Sequence, residues 1–456
     1  MKRTSRVLAI LLALAMLLSV TAFAVANESW PMYGGDLNHT SIVSDAPTSI
    51  TKEVKVALTG GSGWDGIDNV PVMQTVGGKT YAYVLFDGRG TNGAQVIKYN
   101  CTDEVEVWRT TAYGNENTSL NAKSGFQLST PCLDEENGVL YVGVISQYDD
   151  YVGGEWLTGT GSKILALTDL DSATPTVVTL KTTIPGQINT PIVKYGDYIY
   201  FGTWTGNAGG TYYQLSLDGT VSNEYSYSSG FYWAGAVKVG NYIYFGSDNG
   251  VLHYRSIDNF AGVGGTVTLP ESDAGNVRSS ISTDGSNNLY FTTQGVYNST
   301  TKAQNGYLWC YEANTTTGAP THKWHIQLDG KSTSTPTIVI DDTTTSIYTG
   351  YYTGFDDGGV QVTTYPNGTT PANFDIDTVA YGFPVQCSIL YSDGYVYFNT
   401  NSSTGAGYCY PASAREQSNE QFTWRTTTRT YALGGMACAN GIIVFGNDYN
   451  ELFIVK

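Results

Sequence analysis

The chain has 456 residues, of which 23 are Lys or Arg and 40 are Asp or Glu, giving a formal charge of −17. That excess disfavours a nucleic-acid partner, which needs a basic footprint on the protein. With only 14% charged residues but 53 Gly, 35 Tyr and 9 Trp, the composition also excludes a disordered chain and a coiled coil, because aromatic side chains for burial abound and Lys/Glu heptads are missing.

Residues 1–26 read as a secretory signal peptide. Lys2, Arg3 and Arg6 form a basic start, Val7 to Val20 is almost wholly apolar, and Ala24-Val25-Ala26 places small residues where a signal peptidase cuts. An uncleaved membrane anchor is the alternative, since the apolar core plus its flank approaches a short span. No Cys follows the apolar stretch, which argues against a lipoprotein anchor. No later stretch is long and apolar enough to span, so the sequence predicts an exported mature chain with no membrane span, extracellular, periplasmic or at the cell surface.

Residues 27–52 form a lead-in segment, and Glu53 to Leu58 is the first alternating run. From there a unit repeats. It reads small-Pro-apolar, a Gly-containing turn, Tyr-apolar-Tyr-Phe-Gly, another turn and a second alternating run. The clearest copies start at Asn189-Thr190-Pro191, leading to Tyr198-Ile199-Tyr200-Phe201-Gly202, and at Ala234-Gly235-Ala236, leading to Tyr242-Ile243-Tyr244-Phe245-Gly246. Weaker copies begin near Val70, Ser129, Ser279, Ser334, Cys387 and Gly435, which makes eight. Period-two runs rich in Tyr, Val, Ile and Thr, separated by turns such as Asn137-Gly138, Asp393-Gly394 and Asn440-Gly441, predict strands throughout.

A fourth alternating run follows each of the first seven units: Val105 to Thr110, Thr176 to Lys181, Thr220 to Tyr225, Thr266 to Leu269, His322 to Leu328, Phe374 to Val379 and Phe422 to Thr427. The eighth unit, Gly435 to Lys456, ends after three strands. The run at Glu53 to Leu58 is therefore free to complete it. An open row of antiparallel sheets would leave unpaired backbone groups at both ends, whereas a borrowed strand closes the row into a ring. The prediction is an all-β fold: an eight-bladed β-propeller of four-stranded antiparallel blades over residues 53–456, with about 50 residues per blade. A parallel β-helix is the rival, but its rungs are shorter and need no complementary run at the far terminus.

The segment Trp30-Pro31-Met32-Tyr33-Gly34-Gly35-Asp36-Leu37-Asn38-His39-Thr40 and the small-Pro-apolar, Tyr-apolar-Tyr-Phe-Gly repeat resemble the pyrroloquinoline-quinone-repeat (quinoprotein-like) β-propellers over nearly the whole mature chain. The resemblance implies a scaffold shared by quinone-dependent dehydrogenases and by non-enzymatic members, so fold alone does not assign activity. It also implies that outer-strand tryptophans dock against the next blade, and Trp108, Trp324 and Trp424 sit at such positions.

A quinone dehydrogenase needs Ca²⁺ ligands, a carboxylate base and flat walls for the cofactor, and the family's alcohol dehydrogenases build one wall from adjacent cysteines. Here Cys101, Cys132, Cys310, Cys387, Cys409 and Cys438 are scattered, and buried free thiols are the expected state of most of them. The four histidines offer no zinc helix. His322 and His325, three apart on one strand, are expected to face opposite sides. Acidic pairs such as Asp149-Asp150, Asp341-Asp342 and Asp356-Asp357 fall in turn-like sequence and read as solvated loops. No catalytic residues, metal site or cofactor are predicted. The favoured reading is a non-catalytic binding or scaffolding module for protein or glycan partners at the cell envelope. A pyrroloquinoline-quinone- and calcium-dependent alcohol or sugar dehydrogenase is the alternative.

On one face of such a ring, the loops from each outer strand to the next inner strand lie beside the hairpins joining second and third strands. These loops carry Trp64, Phe126, Tyr148, Trp156, Trp204, Asn207, Tyr232, Trp233, Phe355 and Asp356, with Arg278 and Lys331 as rare cations. Trp64, Trp156, Trp204, Tyr232, Trp233, Arg278, Lys331 and Asp356 are the candidate ligand-binding residues, because rings mixed with polar groups suit sugar faces or peptide side chains. Plugging of a wide channel is the competing role for the same rings. Sequons begin at Asn38, Asn100, Asn117, Asn298, Asn314, Asn367 and Asn401.

Overall fold

Eight antiparallel sheets follow one another along the chain and meet end to end. The computed structural model describes residues 28–58, 66–88, 93–111, 129–145, 151–152, 155–156, 161–205, 209–354, 356–367, 374–403, 405–413, 422–425 and 431–456. Blade 4 shows the pattern in its plainest form. Its inner strand Val237–Val239 pairs with Tyr242–Ser247, which pairs with Val251–Ser256, which pairs with the outer strand Gly264–Thr268. Blade 3 repeats it with Val193–Tyr195, Tyr198–Gly202, Gly210–Ser216 and Ser222–Tyr227. Blade 2 carries an added hairpin, Tyr151–Val152 with Glu155–Trp156, between its second and third strands.

Blade 8 is built from both ends of the chain, as the strand arithmetic predicts. Ala437–Ala439, Ile442–Gly446 and Glu451–Val455 come from the C-terminus, and Glu53–Ala57 completes them as outer strand, with Glu53 opposite Val455 and Ala57 opposite Glu451. The seam is clasped further by Lys52 and Lys456, both paired with Glu104 on blade 1. Its first hairpin turns at Asn440 and Gly441, with φ of 50° and 71°, the left-handed pair that matches strand twist in a two-residue turn.

The repeat has a packing explanation. Successive residues of a second strand face opposite sides, yet both sides are buried, because each blade is covered by a neighbour on either face. Ile243 therefore belongs to the core between blades 3 and 4, and Tyr244 to the core between blades 4 and 5. The motif glycine leaves room for the chain entering the next blade. A Cβ on Gly246 would lie 2.1 Å from Val277, and one on Gly446 would lie 2.3 Å from Ile67 across the seam. Gly143, Gly202 and Gly350 meet Ile188, Phe231 and Val385 in the same way.

The outer-strand tryptophans dock as the resemblance implies where their side chains are described. Trp108 of blade 1 donates from its indole N–H to the Leu170 carbonyl of blade 2 (2.9 Å). Trp324 of blade 5 packs on Tyr365 and Phe374 of blade 6. The Trp424 side chain lies outside the described residues. All six cysteines are free and buried.

One expectation is overturned. His322 and His325 share a face, with Nε2 of His322 3.1 Å from Nδ1 of His325. Cys310 pairs with Trp324 but Tyr311 with His322, so Lys323 is an extra residue in the outer strand. That bulge shifts the side-chain phase by one and brings both rings over Trp309, with His322 also against Tyr311.

Candidate functional site

The lead-in segment closes one end of the channel. Ser29–Trp30 adds to the inner strand of blade 1, and Ile42–Val43 adds in parallel to that of blade 7. Between and beyond them, the Pro31 carbonyl accepts from Leu133 N–H (2.7 Å), the Leu37 carbonyl accepts from Tyr195 OH (2.9 Å), and Nδ1 of His39 donates to the Ile281 carbonyl (2.8 Å). Asp45 accepts from Gly441 N–H (2.9 Å). These contacts tie the segment to blades 1, 2, 3, 5, 7 and 8. The Gly34-Gly35 step makes the crossing possible, since both residues have positive φ (71° and 78°) and a Cβ on Gly34 would lie 2.5 Å from the Cα of His39. Burial holds the His39 pKa below the usual imidazole value, opposed by its backbone hydrogen bond and by Asp36.

Tyr33 is the tip of this plug. Its hydroxyl sits 2.8 Å from the Thr335 Oγ1 of blade 6 and also interacts with Ser388 and Ser280 of blades 7 and 5. Above it the channel opens into a small chamber. Every blade contributes to the wall where its inner strand starts: Asp68 to Val70, Thr130, Asn189 with Pro191, Trp233, Arg278, Thr333, Gln386 to Ser388, and Leu433 to Gly435.

Beside the mouth, blades 3, 4 and 5 assemble four of the predicted residues around Asp248. Arg278 donates to Asp248 through Nε and Nη2, both at 2.7 Å, and Asp248 also accepts from the Trp204 indole N–H at 3.0 Å. The guanidinium lies 4.4 Å from the centre of the Tyr232 ring. Tyr232 in turn makes an edge contact with Trp204 and packs on Trp233, at centroid distances of 5.3 and 4.7 Å. Burial works against the Arg278 charge, but the hydrogen bonds and charge of Asp248 outweigh it and raise the guanidinium pKa. Burial also keeps the Tyr232 phenol protonated by raising its pKa. The cluster is thus a fixed cation framed by rings, with Trp204 and Trp233 half-buried and open to a partner.

Lys331 belongs to the next sector. Its ammonium lies 4.7 Å from the centre of the Tyr352 ring, and Tyr352 accepts from Gln294 at 3.0 Å. Burial lowers the Lys331 pKa. Asp356 is exposed on the blade 6 hairpin and does not line the chamber. Trp64, Phe126, Tyr148, Asn207 and Phe355 lie outside the described residues, as does the side chain of Trp156.

The sequence reading passed over Tyr33, Asp248, Asn69 and Asn189. The last two stand at the same place in the repeat, two residues before Pro71 and Pro191, and that shared position was the available signal. Tyr33 lies in the motif that carries the family resemblance, but its place on the axis depends on how the lead-in folds back.

The chamber is a poor fit to a calcium-bound quinone. Its described wall supplies one carboxylate, Asp68, and its flat groups are the Trp233 indole and the Tyr33 ring at the floor. Among the described residues no group of three His, Cys, Asp or Glu side chains is placed to hold a metal ion. No described helix is long and apolar enough to cross a membrane.

No family model and no curated protein matches the chain. Solved structures do. The computationally designed Ika8 protein aligns with a TM-score of 0.50 at 11% identity, covering 88% of this chain and 99% of its own. BamB from Moraxella catarrhalis aligns at 0.49 and 12%, covering 89% and 96%. A europium-containing methanol dehydrogenase aligns at 0.53 and 11%, covering 92% and 89%. At such identity the first and third bear on the fold and on nothing else.

Proposed function

We propose that this chain is an exported, non-catalytic member of the quinoprotein-like propellers that binds a protein or glycan partner at the cell envelope through the face opposite the lead-in plug. The observation that carries the reading is the pre-assembled cluster of Trp204, Tyr232, Trp233 and the Arg278–Asp248 pair at the mouth of the axial chamber. Rings and a cation held in place before binding lose little freedom when a ligand arrives, and buried aromatic and Arg anchors dominate binding energies. Export rests on the leader read in residues 1–26. Immobilised mature protein screened against glycan arrays and purified envelope proteins tests the reading. Specific binding that is lost in the Trp204→Ala, Trp233→Ala double variant, with circular dichroism unchanged, supports it. Binding that persists in that variant overturns it.

The dehydrogenase alternative draws on the fold shared with the europium-containing methanol dehydrogenase. It is tested by adding pyrroloquinoline quinone with Ca²⁺ or a lanthanide and assaying dye-linked oxidation of alcohols and aldoses. Turnover, with quinone absorbance retained through gel filtration, would replace the binding-module reading.

A further inference from the structure

The outer strand of blade 5 carries a pair of imidazoles that the bulge at Lys323 brings to one face. Of the four histidines in the chain, His39 and His253 are buried. His322 is exposed and His325 half-buried, so this pair alone is open to solvent. Nε2 of His322 and Nδ1 of His325 stand 3.1 Å apart, and the outer partners of the two rings decide what can lie between them. Glu271, on the loop that enters blade 5, places Oε1 3.3 Å from Nε2 of His325. A carboxylate only accepts, so that nitrogen carries the N–H and Nδ1 turns a lone pair toward His322. The Trp324 carbonyl takes a hydrogen bond from the His322 ring, and a neutral imidazole has one N–H to give. With both N–H groups spent outward, the facing nitrogens present lone pairs to each other, an arrangement that calls for a cation between them.

We infer that His322 and His325 form a binding site for one divalent transition-metal ion of the Zn²⁺ or Cu²⁺ kind, held by Nε2 of His322 and Nδ1 of His325. Glu271 orients His325 from behind. The spacing fits, because two nitrogens each about 2.0–2.1 Å from one ion stand about 2.8–3.4 Å apart at angles between square and tetrahedral. A carboxylate on the far nitrogen of a metal-binding histidine fixes its tautomer and raises its basicity. Glu271 is therefore a support and not a ligand, and among the described residues no third His, Cys, Asp or Glu joins the pair. Water completes the coordination. The bulge is what makes the site, since residues three apart on a regular strand face opposite sides. Lys323, between the two ligands, sends its ammonium away to Asn288 Oδ1 at 3.1 Å. Trp309 packs against both imidazoles, with ring centroids at 5.9 and 4.6 Å, so little side-chain freedom is lost when an ion arrives. Imidazole nitrogens suit Zn²⁺ and Cu²⁺, whereas Mg²⁺ and Ca²⁺ prefer oxygen. The site uses no residue of the Trp204–Arg278 cluster and stands whether or not that cluster binds a partner.

The test titrates the full mature chain, carrying no affinity tag, with ZnCl₂, CuCl₂ and MgCl₂ in a calorimeter at about pH 7.5, where imidazoles are largely neutral. One equivalent of Zn²⁺ or Cu²⁺ is expected to bind saturably, and Mg²⁺ to give no binding heat. His322→Ala and His325→Ala should each weaken binding by more than about tenfold and Glu271→Gln by about tenfold, while Val105→Ser, on the outer strand of blade 1, leaves it unchanged. Electron paramagnetic resonance of the copper-loaded wild type should show coupling to two imidazole nitrogens, and this spectrum decides the point where a histidine variant fails to fold. Absence of one-to-one binding by both transition metals, Mg²⁺ binding of equal strength, affinity untouched in both histidine variants, or a copper spectrum without two coupled nitrogens overturns the inference. None of these outcomes bears on partner binding at Trp204 and Trp233.

Discussion

The two ends of the channel are finished in opposite ways. At one end, residues 28–46 lie across the inner strands, and their backbone groups are consumed by hydrogen bonds to blades far apart in the chain. At the other, the blades present side chains and leave a chamber open. What differs is what occupies the axis: the lead-in backbone and Tyr33 cross it at one end, whereas at the other the inner-strand entries of all eight blades surround an opening. A closed end stabilises, and an open end lined by side chains is available for binding.

The largest test of this contrast lies at the closed end. Deleting residues 53–57 strips blade 8 of its outer strand and exposes the partner edge at Glu451–Val455. Cooperative thermal unfolding in calorimetry is expected to be lost or to move to far lower temperature. An unchanged transition would refute ring closure as the basis of stability.

At the open end, Asp248→Ala leaves the Arg278 guanidinium without its partner, and the Trp204 indole loses its acceptor. Breaking a largely buried pair by removing one member costs about 3 kcal/mol. The expected result is a urea midpoint lowered accordingly, together with lost partner binding. Stability equal to wild type would mean the cluster is surface decoration.

Inter-blade packing belongs to neither end and provides the reference. Gly246→Ala drives a methyl into Val277, 2.1 Å away, and overpacking of this kind costs about 1–3 kcal/mol. Denaturant melts should show that loss with partner binding retained.

Acid probes the ring beneath the open face. His253 is fully buried, stacked on Phe245 and bonded to Ser247 and Tyr225, and burial lowers its pKa to about 3, with Arg255 adding to the effect. Its folded pKa lies below the unfolded value near 6.5, so the unfolded chain binds more protons between those limits and stability falls as pH drops. The contribution is fully present above about pH 7, and about 2 kcal/mol is lost by pH 5. His253→Gln should flatten that slope in melts at the two pH values, though its starting stability is lower. The smallest effect on stability is expected from Lys331→Met, whose ammonium rests on one ring. It should leave melting unchanged and alter only binding to acidic partners.

Much of the scaffold was legible because strand period and turn chemistry are local. The outer strand read at Val105 to Thr110 is observed at Val105–Arg109, and that read at Glu53 to Leu58 at Glu53–Ala57. Counting strands exposed the missing one in blade 8, which is a topological fact about the chain. The error at His322 and His325 arose where one extra residue, Lys323, reset the alternation, and nothing in the local pattern announces a bulge. Four of the predicted loop residues, Trp204, Tyr232, Trp233 and Arg278, do come together, because repeat register places equivalent loops on one face. Asp356 does not join them, since sharing a face leaves open how far from the axis a hairpin tip reaches.

The sequence by itself determined eight repeats, their strands and the closure of the ring, because alternation and turn residues act over a few positions and a repeat multiplies the signal. Only the tertiary structure decided that Tyr33 floors the channel and that Asp248 holds Arg278 and Trp204. Those contacts join residues from different blades or from the lead-in, and their distances follow from the curvature of the closed ring, which no local pattern encodes.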